Sequence, residues 1–231
     1  MLDASKIRAI SLDLDDTLWP VWPTIARAEL QMQEYLRPRA PATAVLMADP
    51  QARVQLREAV VRECPASAHD MSALRLQMIE LALQRCGESE YLAPETFHVF
   101  YAARQQVDLY ADCAHALARL AARFPLLALT NGNADVNLVG IGHFFVGSVG
   151  AHTVGLPKPH KAIFDAAASA LGCQHEAIVH VGDDALLDVL AAMDAGMQSV
   201  WVNRQSSRWS HSREPHLEVA SLDTLCDVLG V

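Results

Sequence analysis

Four short hydrophobic runs along the chain each stop at polar or glycine-rich residues. They lie within the segments IRAISLDLDDT (7–17), FPLLALTNGN (124–133), AIVHVGDD (177–184) and MQSVWVNR (197–204). Continuous apolar runs of this length are typical of strands that are covered on both faces, as in a parallel sheet. We therefore predict a buried parallel strand in each segment.

Helical patterns separate and follow these runs. CAHALARLAARF (113–124) precedes the second run, whereas HKAIFDAAASALG (160–172) and ALLDVLAAMDAG (185–196) each end in glycine, a common residue at helix ends. Strands that alternate with helices in this way indicate βαβ units. We predict an α/β fold with a doubly wound parallel sheet.

Residues 20–107 break the alternation. QARVQLREAVVREC (51–64) and MSALRLQMIELALQRCG (71–87) carry apolar residues at helical spacing, and the region shows no strand pattern. We predict an all-helical domain at 20–107, inserted directly after the first strand. Residues 1–19 and 108–231 then form the α/β core.

Composition narrows the possible partners. The net charge of −9 argues against binding to nucleic acid or to an anionic membrane, and no apolar run approaches a membrane span of about 18 residues. The five cysteines are scattered and never form a CxxC pair, which favours free thiols in a reducing compartment. We expect a cytoplasmic protein with no nucleic-acid or membrane partner. Its oligomeric state has no signature in the sequence.

Acidic residues follow two of the predicted strands. Asp13 and Asp15 point the same way because side chains alternate along a strand, and Asp183 and Asp184 end another run. Ligands of open α/β sheets bind at the carboxyl ends of the strands, so these carboxylates are expected to converge. They repel one another unless a cation lies among them, and a cluster of oxygens favours Mg²⁺.

Groups suited to an anion accompany the acidic cluster. Thr130, Asn131 and Gly132 supply a hydroxyl and backbone N–H groups that can bind phosphate oxygens. Lys158, one of only three lysines, lies in GLPKPHKAIF just before a predicted helix. A carboxylate in such a site can attack phosphorus to form an aspartyl-phosphate, and a second can act as general acid and base.

The segments DLDDTL, LTNGN, KPHKAIF and VGDDALLD resemble, in order and spacing, the four motifs of the haloacid dehalogenase superfamily. The helical insert lies where members that act on small substrates carry a cap domain. Three longer segments are similar to those of bacterial phosphatases for flavin mononucleotide and for a phosphorylated pyrimidine of riboflavin synthesis. They are DLDDTLW, LTNGNA and HVGDDALLDVLAAMDAGM. The resemblance implies a core of this superfamily with a helical cap.

The resemblance also implies a role for each matching residue. Asp13 corresponds to the nucleophile, Asp15 to the general acid and base, and Lys158 to the cation that stabilises the nucleophile and the phosphoryl oxygens. The corresponding phosphate-binding residues are Thr130, Asn131 and Gly132. The implied magnesium site comprises Asp13, the Asp15 backbone carbonyl and Asp183, with Asp184 and Asp188 holding metal-bound waters or Lys158.

Two alternatives concern single residues. Asp184 could instead cap the helix that starts near Ala185. Trp19 and Trp22 follow the first motif, where an aromatic ring could stack on a flat substrate or belong to the core. We include Trp19 among the candidate substrate-binding residues.

The expected function is a Mg²⁺-dependent phosphomonoesterase for a small phosphorylated metabolite, with flavin mononucleotide or a riboflavin-pathway pyrimidine phosphate as candidates. Dehalogenases of the superfamily lack a second aspartate two places after the nucleophile, so Asp15 argues against that activity. Phosphonate-cleaving members use a cap lysine, and 20–107 contains none. A sugar-phosphate mutase shares all four motifs and remains an alternative. A non-catalytic binding module is the remaining class, although such proteins usually lack the nucleophile or the acid.

Overall fold

The computed structural model describes all 231 residues, which divide into two compact units. One unit consists of residues 1–20 and 108–231, and the other of residues 21–107. The first segment of the core therefore ends at residue 20, one residue later than the predicted 19. No helix in either unit is both long and apolar enough to cross a membrane.

The first unit contains a six-stranded sheet in which every neighbouring pair is parallel. Its strands are β1 (Ala9–Leu12), β2 (Leu126–Thr130), β3 (Gly147–Gly150), β4 (Ile178–Gly182), β5 (Gln198–Val202) and β6 (Leu217–Val219). Their spatial order is β3-β2-β1-β4-β5-β6, so the chain winds outwards from β1 in both directions. The predicted α/β class with a doubly wound parallel sheet is confirmed.

The hydrophobic runs correspond to the four inner strands. Every residue of β1, β2, β4 and β5 is buried, which explains the continuous apolar pattern. The two edge strands were not predicted. β3 reads GSVG and β6 reads LEV, and both are too short and too poor in apolar residues to give such a run.

The second unit is entirely helical. Its helices are α1 (Val21–Leu36), α2 (Pro41–Ala48), α3 (Pro50–Glu63), α4 (Met71–Cys86) and α5 (Ala93–Arg104). The side chains of Asp49 and Asp70 accept backbone N–H groups at the starts of α3 and α4, as good N-caps do. The unit has its own hydrophobic core, in which Met32, Leu56 and Ile79 are fully buried.

Helices also flank the sheet of the first unit. They are α6 (Cys113–Ala121), α7 (Val136–Val139), α8 (Ala151–Val154), α9 (Lys161–Leu171), α10 (Ala191–Asp194) and α11 (Leu222–Leu229). The predicted helix 185–196 begins with a π-helical segment, Ala185–Leu190, before α10. The Asp184 carbonyl accepts from both Asp188 and Val189, which widens this first turn.

Candidate active site

The first acidic cluster lies where β1 ends. The Asp13 backbone N–H donates to the Val181 carbonyl of β4 at 2.9 Å. This hydrogen bond fixes the start of the loop that follows β1. Asp16 then adopts a left-handed backbone with φ of 60°, and its N–H donates to the Trp19 carbonyl at 2.7 Å. The chain therefore turns tightly and keeps Asp13 buried, with 6% exposure, at the base of a crevice.

Lys158 joins two carboxylates of this crevice. Its Nζ donates to Asp13 Oδ1 at 2.6 Å and to Asp188 Oδ1 at 2.5 Å, and all three side chains are buried. Charge-assisted hydrogen bonds of this length are strong, and burial protects them from screening. The structure thus brings the predicted cation directly to the predicted nucleophile.

Asn131 holds the backbone of Lys158. Its Oδ1 accepts the Lys158 N–H at 2.7 Å and its Nδ2 donates to the Lys158 carbonyl at 3.0 Å. These two contacts fix the position of Lys158, and Asn131 also lines the polar pocket, where its expected phosphate-binding role stays a prediction. Thr130 Oγ1 accepts the Gly132 N–H at 2.9 Å and so shapes the turn after β2.

Asp188 reaches the crevice from the π-helical segment. Its Oδ2 accepts the Asp184 N–H at 3.0 Å, while Oδ1 faces Lys158. A Cβ added at Gly182 would lie 2.3 Å from the carboxyl carbon of Asp188, so the last residue of β4 has no room for a side chain. The close approach of Asp188 to the sheet therefore requires glycine at this position.

Asp184 caps the helical segment, as the alternative interpretation proposed. Its Oδ1 accepts the N–H groups of Leu186 and Leu187, each at 2.7 Å, and the residue is exposed. Asp183 is more enclosed, and its Oδ1 lies 2.9 Å from the Thr17 hydroxyl, which is also 3.2 Å from Asp13 Oδ2. Thr17 was not among the predicted site residues, although it ends the segment DLDDT. Its hydroxyl links the two carboxylates.

Burial and charge shift the pKa values of these groups in different directions. Burial raises the pKa of Asp13 well above its usual value, although Lys158 opposes the shift, and burial beside Asp188 raises the pKa of Asp183 to about 7. Burial also disfavours the charged forms of Asp188 and Lys158. Their mutual attraction outweighs it, so the pKa of Asp188 is lowered and that of Lys158, which also contacts Asp13, is raised. Lys158 and Asp188 therefore form a charged pair. At Asp13 burial outweighs the attraction of Lys158, and at Asp183 it outweighs the hydrogen bond from Thr17.

The donor set fits a hard cation. Asp13, Asp183 and Asp188 offer carboxylate oxygens within 4.8 Å of one another, with no histidine or thiolate among them. Both oxygens of Asp188 already accept N–H groups, from Lys158 and from the Asp184 backbone, whereas Lys158 contacts only Oδ1 of Asp13. Asp13 Oδ2 and the oxygens of Asp183 are therefore the ones suited to an ion. A cation there would offset the burial that raises both of their pKa values.

A pocket of about 190 Å³ contains nearly all the predicted site residues. Its lining includes Asp13, Asp15, Thr130, Asn131, Gly132, Lys158, Asp183, Asp184 and Asp188. Trp19 is the exception and requires a correction. Its ring is fully buried, and its Nε1–H donates to Asp15 Oδ1 at 2.8 Å, so it orients Asp15 and has no open face for a substrate.

Residues 7–196 match the haloacid dehalogenase-like hydrolases, and the chain belongs to this family. It is 32% identical to the 5-amino-6-(5-phospho-D-ribitylamino)uracil phosphatase YigB of Escherichia coli, over 97% of each chain. It is also 32% identical to a phosphoserine phosphatase of Thermus thermophilus, over 94% of this chain and 96% of the relative. The enzyme class is accordingly a phosphatase of this family, and the resemblance stated from the motifs is confirmed.

The fold is also close to that of a solved relative with a different name. The crystal structure of a 2-haloacid dehalogenase from Pseudomonas syringae pv. Tomato superposes with a TM-score of 0.91 at 34% identity, covering 97% of this chain and 98% of that one. Fold similarity at this level leaves the choice of reaction to the residues of the site.

Proposed function

We propose that the protein is a Mg²⁺-dependent phosphomonoesterase that hydrolyses a small phosphorylated metabolite through an aspartyl-phosphate on Asp13. The observation that carries this proposal is the convergence of Asp13, Asp15, Lys158 and Asp183 around one polar pocket at the carboxyl edge of the sheet. A phosphatase of this kind needs a nucleophile, an acid and base, a cation and a metal site, and each has a candidate here.

Asp13 and Asp183 would hold the magnesium ion. When bound, the ion neutralises their charge and that of the phosphoryl oxygens, which allows one anion to approach another. Lys158 supplies a second positive charge at Asp13 Oδ1. The Thr130 hydroxyl and the backbone N–H groups of the following turn are the candidate contacts to the phosphoryl oxygens.

Asp15 is the candidate general acid and base. Its hydrogen bond from Trp19 Nε1–H fixes one carboxylate oxygen, and the residue lines the same pocket as Asp13. In the proposed reaction Asp15 first gives a proton to the leaving alcohol and later activates the water that cleaves the aspartyl-phosphate. A dehalogenase has no need of this acid, so Asp15 favours phosphatase activity over the activity named for the solved relative.

The helical insert is our candidate for choosing the leaving group. Trp22 is 74% exposed and lines a pocket of about 470 Å³ in the insert together with Arg53 and Arg75. The exposed Trp22 ring suits a flat organic group. Arg53 and Arg75 are both paired with Glu29 and form the polar side of the same pocket. Flavin mononucleotide, the riboflavin-pathway pyrimidine phosphate and phosphoserine are the first compounds to test. We also propose a cytoplasmic location, because all five cysteines are free thiols.

A phosphate-release screen tests the proposal. The metal-stripped protein is mixed with these three compounds, with sugar phosphates and with a 2-haloacid, each with and without added Mg²⁺. We expect phosphate release from at least one phosphomonoester, dependent on Mg²⁺ and stopped by excess EDTA. Halide release without metal would establish a dehalogenase instead. An isomeric sugar phosphate formed without free phosphate would establish the mutase.

A further inference from the structure

His180 is a buried titratable residue that the proposed reaction does not use. It lies in β4 with 1% exposure, and its ring meets the edge of Phe164 at a centroid distance of 5.4 Å. Both ring nitrogens have partners. Nδ1 lies 2.8 Å from the Ser11 hydroxyl, and Nε2 lies 3.2 Å from Asp188 Oδ1.

The sheet register explains this arrangement. Ser11 of β1 and His180 of β4 are direct partners between parallel strands, so their side chains leave the sheet on the same face. Asp13 follows Ser11 by two residues and shares that face. The polar contacts therefore form a continuous series that begins at Ser11 in β1 and ends at Asp13, the residue after β1, by way of His180, Asp188 and Lys158.

The neighbours determine which nitrogen of His180 carries the proton. Asp188 is ionised by its pairing with Lys158, and a carboxylate only accepts hydrogen bonds, so Nε2 must be the donor. Burial lowers the pKa of His180 although contact with Asp188 opposes the shift, and the net lowering favours a neutral ring. In a neutral ring with hydrogen on Nε2, Nδ1 is an acceptor, and the Ser11 hydroxyl donates to it.

We propose that His180 is a positioning residue for the catalytic lysine. Its Nε2–H fixes Asp188 Oδ1, the same oxygen that Lys158 contacts at 2.5 Å, so that the ammonium group stays directed at Asp13. The Asp184 N–H holds the other oxygen of Asp188, so His180 is the one neutral donor that shares Oδ1 with the ammonium group and limits where that oxygen can lie. This inference rests on the proposed function, because it assigns His180 to the same site.

Two amide substitutions separate positioning from packing. His180→Gln and His180→Asn both remove the ring from its contact with Phe164, but only the longer glutamine can place an N–H where Nε2 stood. Partners that orient a catalytic group typically contribute about 10–100-fold to activity. We expect kcat of the Asn variant to fall by about that factor relative to the Gln variant, with a smaller change in KM. Equal kcat values in the two variants would overturn the proposal, as would a loss that follows only their melting temperatures.

The wild-type protein provides a test that does not depend on variants. A nitrogen-15 NMR spectrum of labelled histidine reports which ring nitrogen is protonated, and we expect a neutral His180 ring with hydrogen on Nε2. Hydrogen on Nδ1 would contradict the inferred contact with Asp188. Wild-type protein inactive on every phosphomonoester would refute the proposed function and leave this tautomer result unaffected. Active wild-type protein with equal Gln and Asn variants would refute only the role of His180.

Discussion

Asp183 and Asp188 lie in one short segment, yet their pKa values shift in opposite directions. Asp188 contacts the Lys158 ammonium at 2.5 Å, whereas the Asp183 side chain accepts a hydrogen bond from the neutral Thr17 hydroxyl. Burial therefore raises the pKa of Asp183 to about 7, while the pKa of Asp188 is lowered. The two aspartates therefore differ in role, because Asp188 pairs with Lys158 whereas Asp183 is available to a metal ion.

The effect of Mg²⁺ on stability should depend on pH. Because the folded-state pKa of Asp183 is raised from 3.8 to about 7, the stability it contributes is complete below 3.8 and is lost as the pH rises through about 7. A metal ion replaces the proton and binds better once the proton has left. We expect Mg²⁺ to raise the melting temperature more at about pH 8 than at about pH 5.5. Equal shifts at both pH values, or a pH difference that persists in Asp183→Asn, would contradict this account.

Two neighbouring acids offer a matched pair of substitutions. Asp188→Asn leaves Lys158 with half of its buried counter-charge, and breaking a buried pair costs about 3–5 kcal/mol in the free energy of unfolding. Asp184→Asn keeps an oxygen that can cap the helix, so its cost should be below about 1 kcal/mol. Phosphate release should be lost in the Asp188 variant and nearly retained in the Asp184 variant. Denaturant unfolding and a phosphate assay measure both effects, and similar behaviour of the two variants would refute the assigned roles.

The roles of single residues were only partly predictable. The motifs placed Asp13, Lys158 and Asp183 correctly within one pocket, because strand ends converge in any doubly wound sheet. The hydrogen bonds of Asn131 to the Lys158 backbone and of Trp19 to Asp15 were not predictable. They depend on the geometry of turns, which local sequence does not determine. His180 gave no signal because an isolated histidine in a buried strand has no distinguishing spacing.

At the scale of elements, the junction of β4 with the π-helical segment determines the site. Its wide first turn directs Asp188 back over Gly182, where there is no space for a Cβ. The sequence predicted a helix at 185–196 but not its π-helical start, since the apolar spacing is compatible with both forms. The inner strands were predictable from their continuous apolar runs, whereas β3 and β6 are too short and too poor in apolar residues to give such a run.

Glycine-to-alanine substitutions at the end of β4 and at the end of α9 should behave differently. In Gly182→Ala the new methyl group displaces the Asp188 carboxylate, so phosphate release should fall by at least about 10-fold. In Gly172→Ala the methyl group meets nothing within 4 Å, but the φ of 62° costs about 1–2 kcal/mol. The control variant should therefore lose stability and keep its kcat. Retention of full activity in Gly182→Ala would show that Asp188 can move without consequence.

At the scale of the whole molecule, the chain combines two units with separate hydrophobic cores. The helical content of the insert was predictable from its periodicity, and its start after β1 from the loss of strand pattern. The pocket of the insert was not predictable, because Trp22, Arg53 and Arg75 come from three separate helices. Their meeting depends on helix packing, which leaves no local mark in the sequence.

Substrate choice should respond to a substitution in that pocket. Trp22→Ala removes an exposed ring from the lining and should lower kcat/KM for the best substrate by about 10-fold, the effect of roughly 1.4 kcal/mol of lost binding. Tyr91→Ala removes an even more exposed ring of the insert that lies outside the pocket, and it should have no effect. Identical kinetics of the two variants would show that this pocket does not recognise the leaving group.

The proposed function depends on an aspartyl-phosphate on Asp13, and this intermediate can be detected in the Asp15→Asn variant. Loss of the general acid and base should slow turnover by about 10²–10⁴-fold and slow the release of the phosphoryl group from Asp13. The Asp15→Asn variant is mixed with its best substrate and Mg²⁺, quenched rapidly and analysed by peptide mass spectrometry. We expect one phosphoryl group on Asp13. The control variant Asp13→Asn should carry none. Wild-type rates of phosphate release by Asp13→Asn, or an adduct on a different residue, would contradict the account.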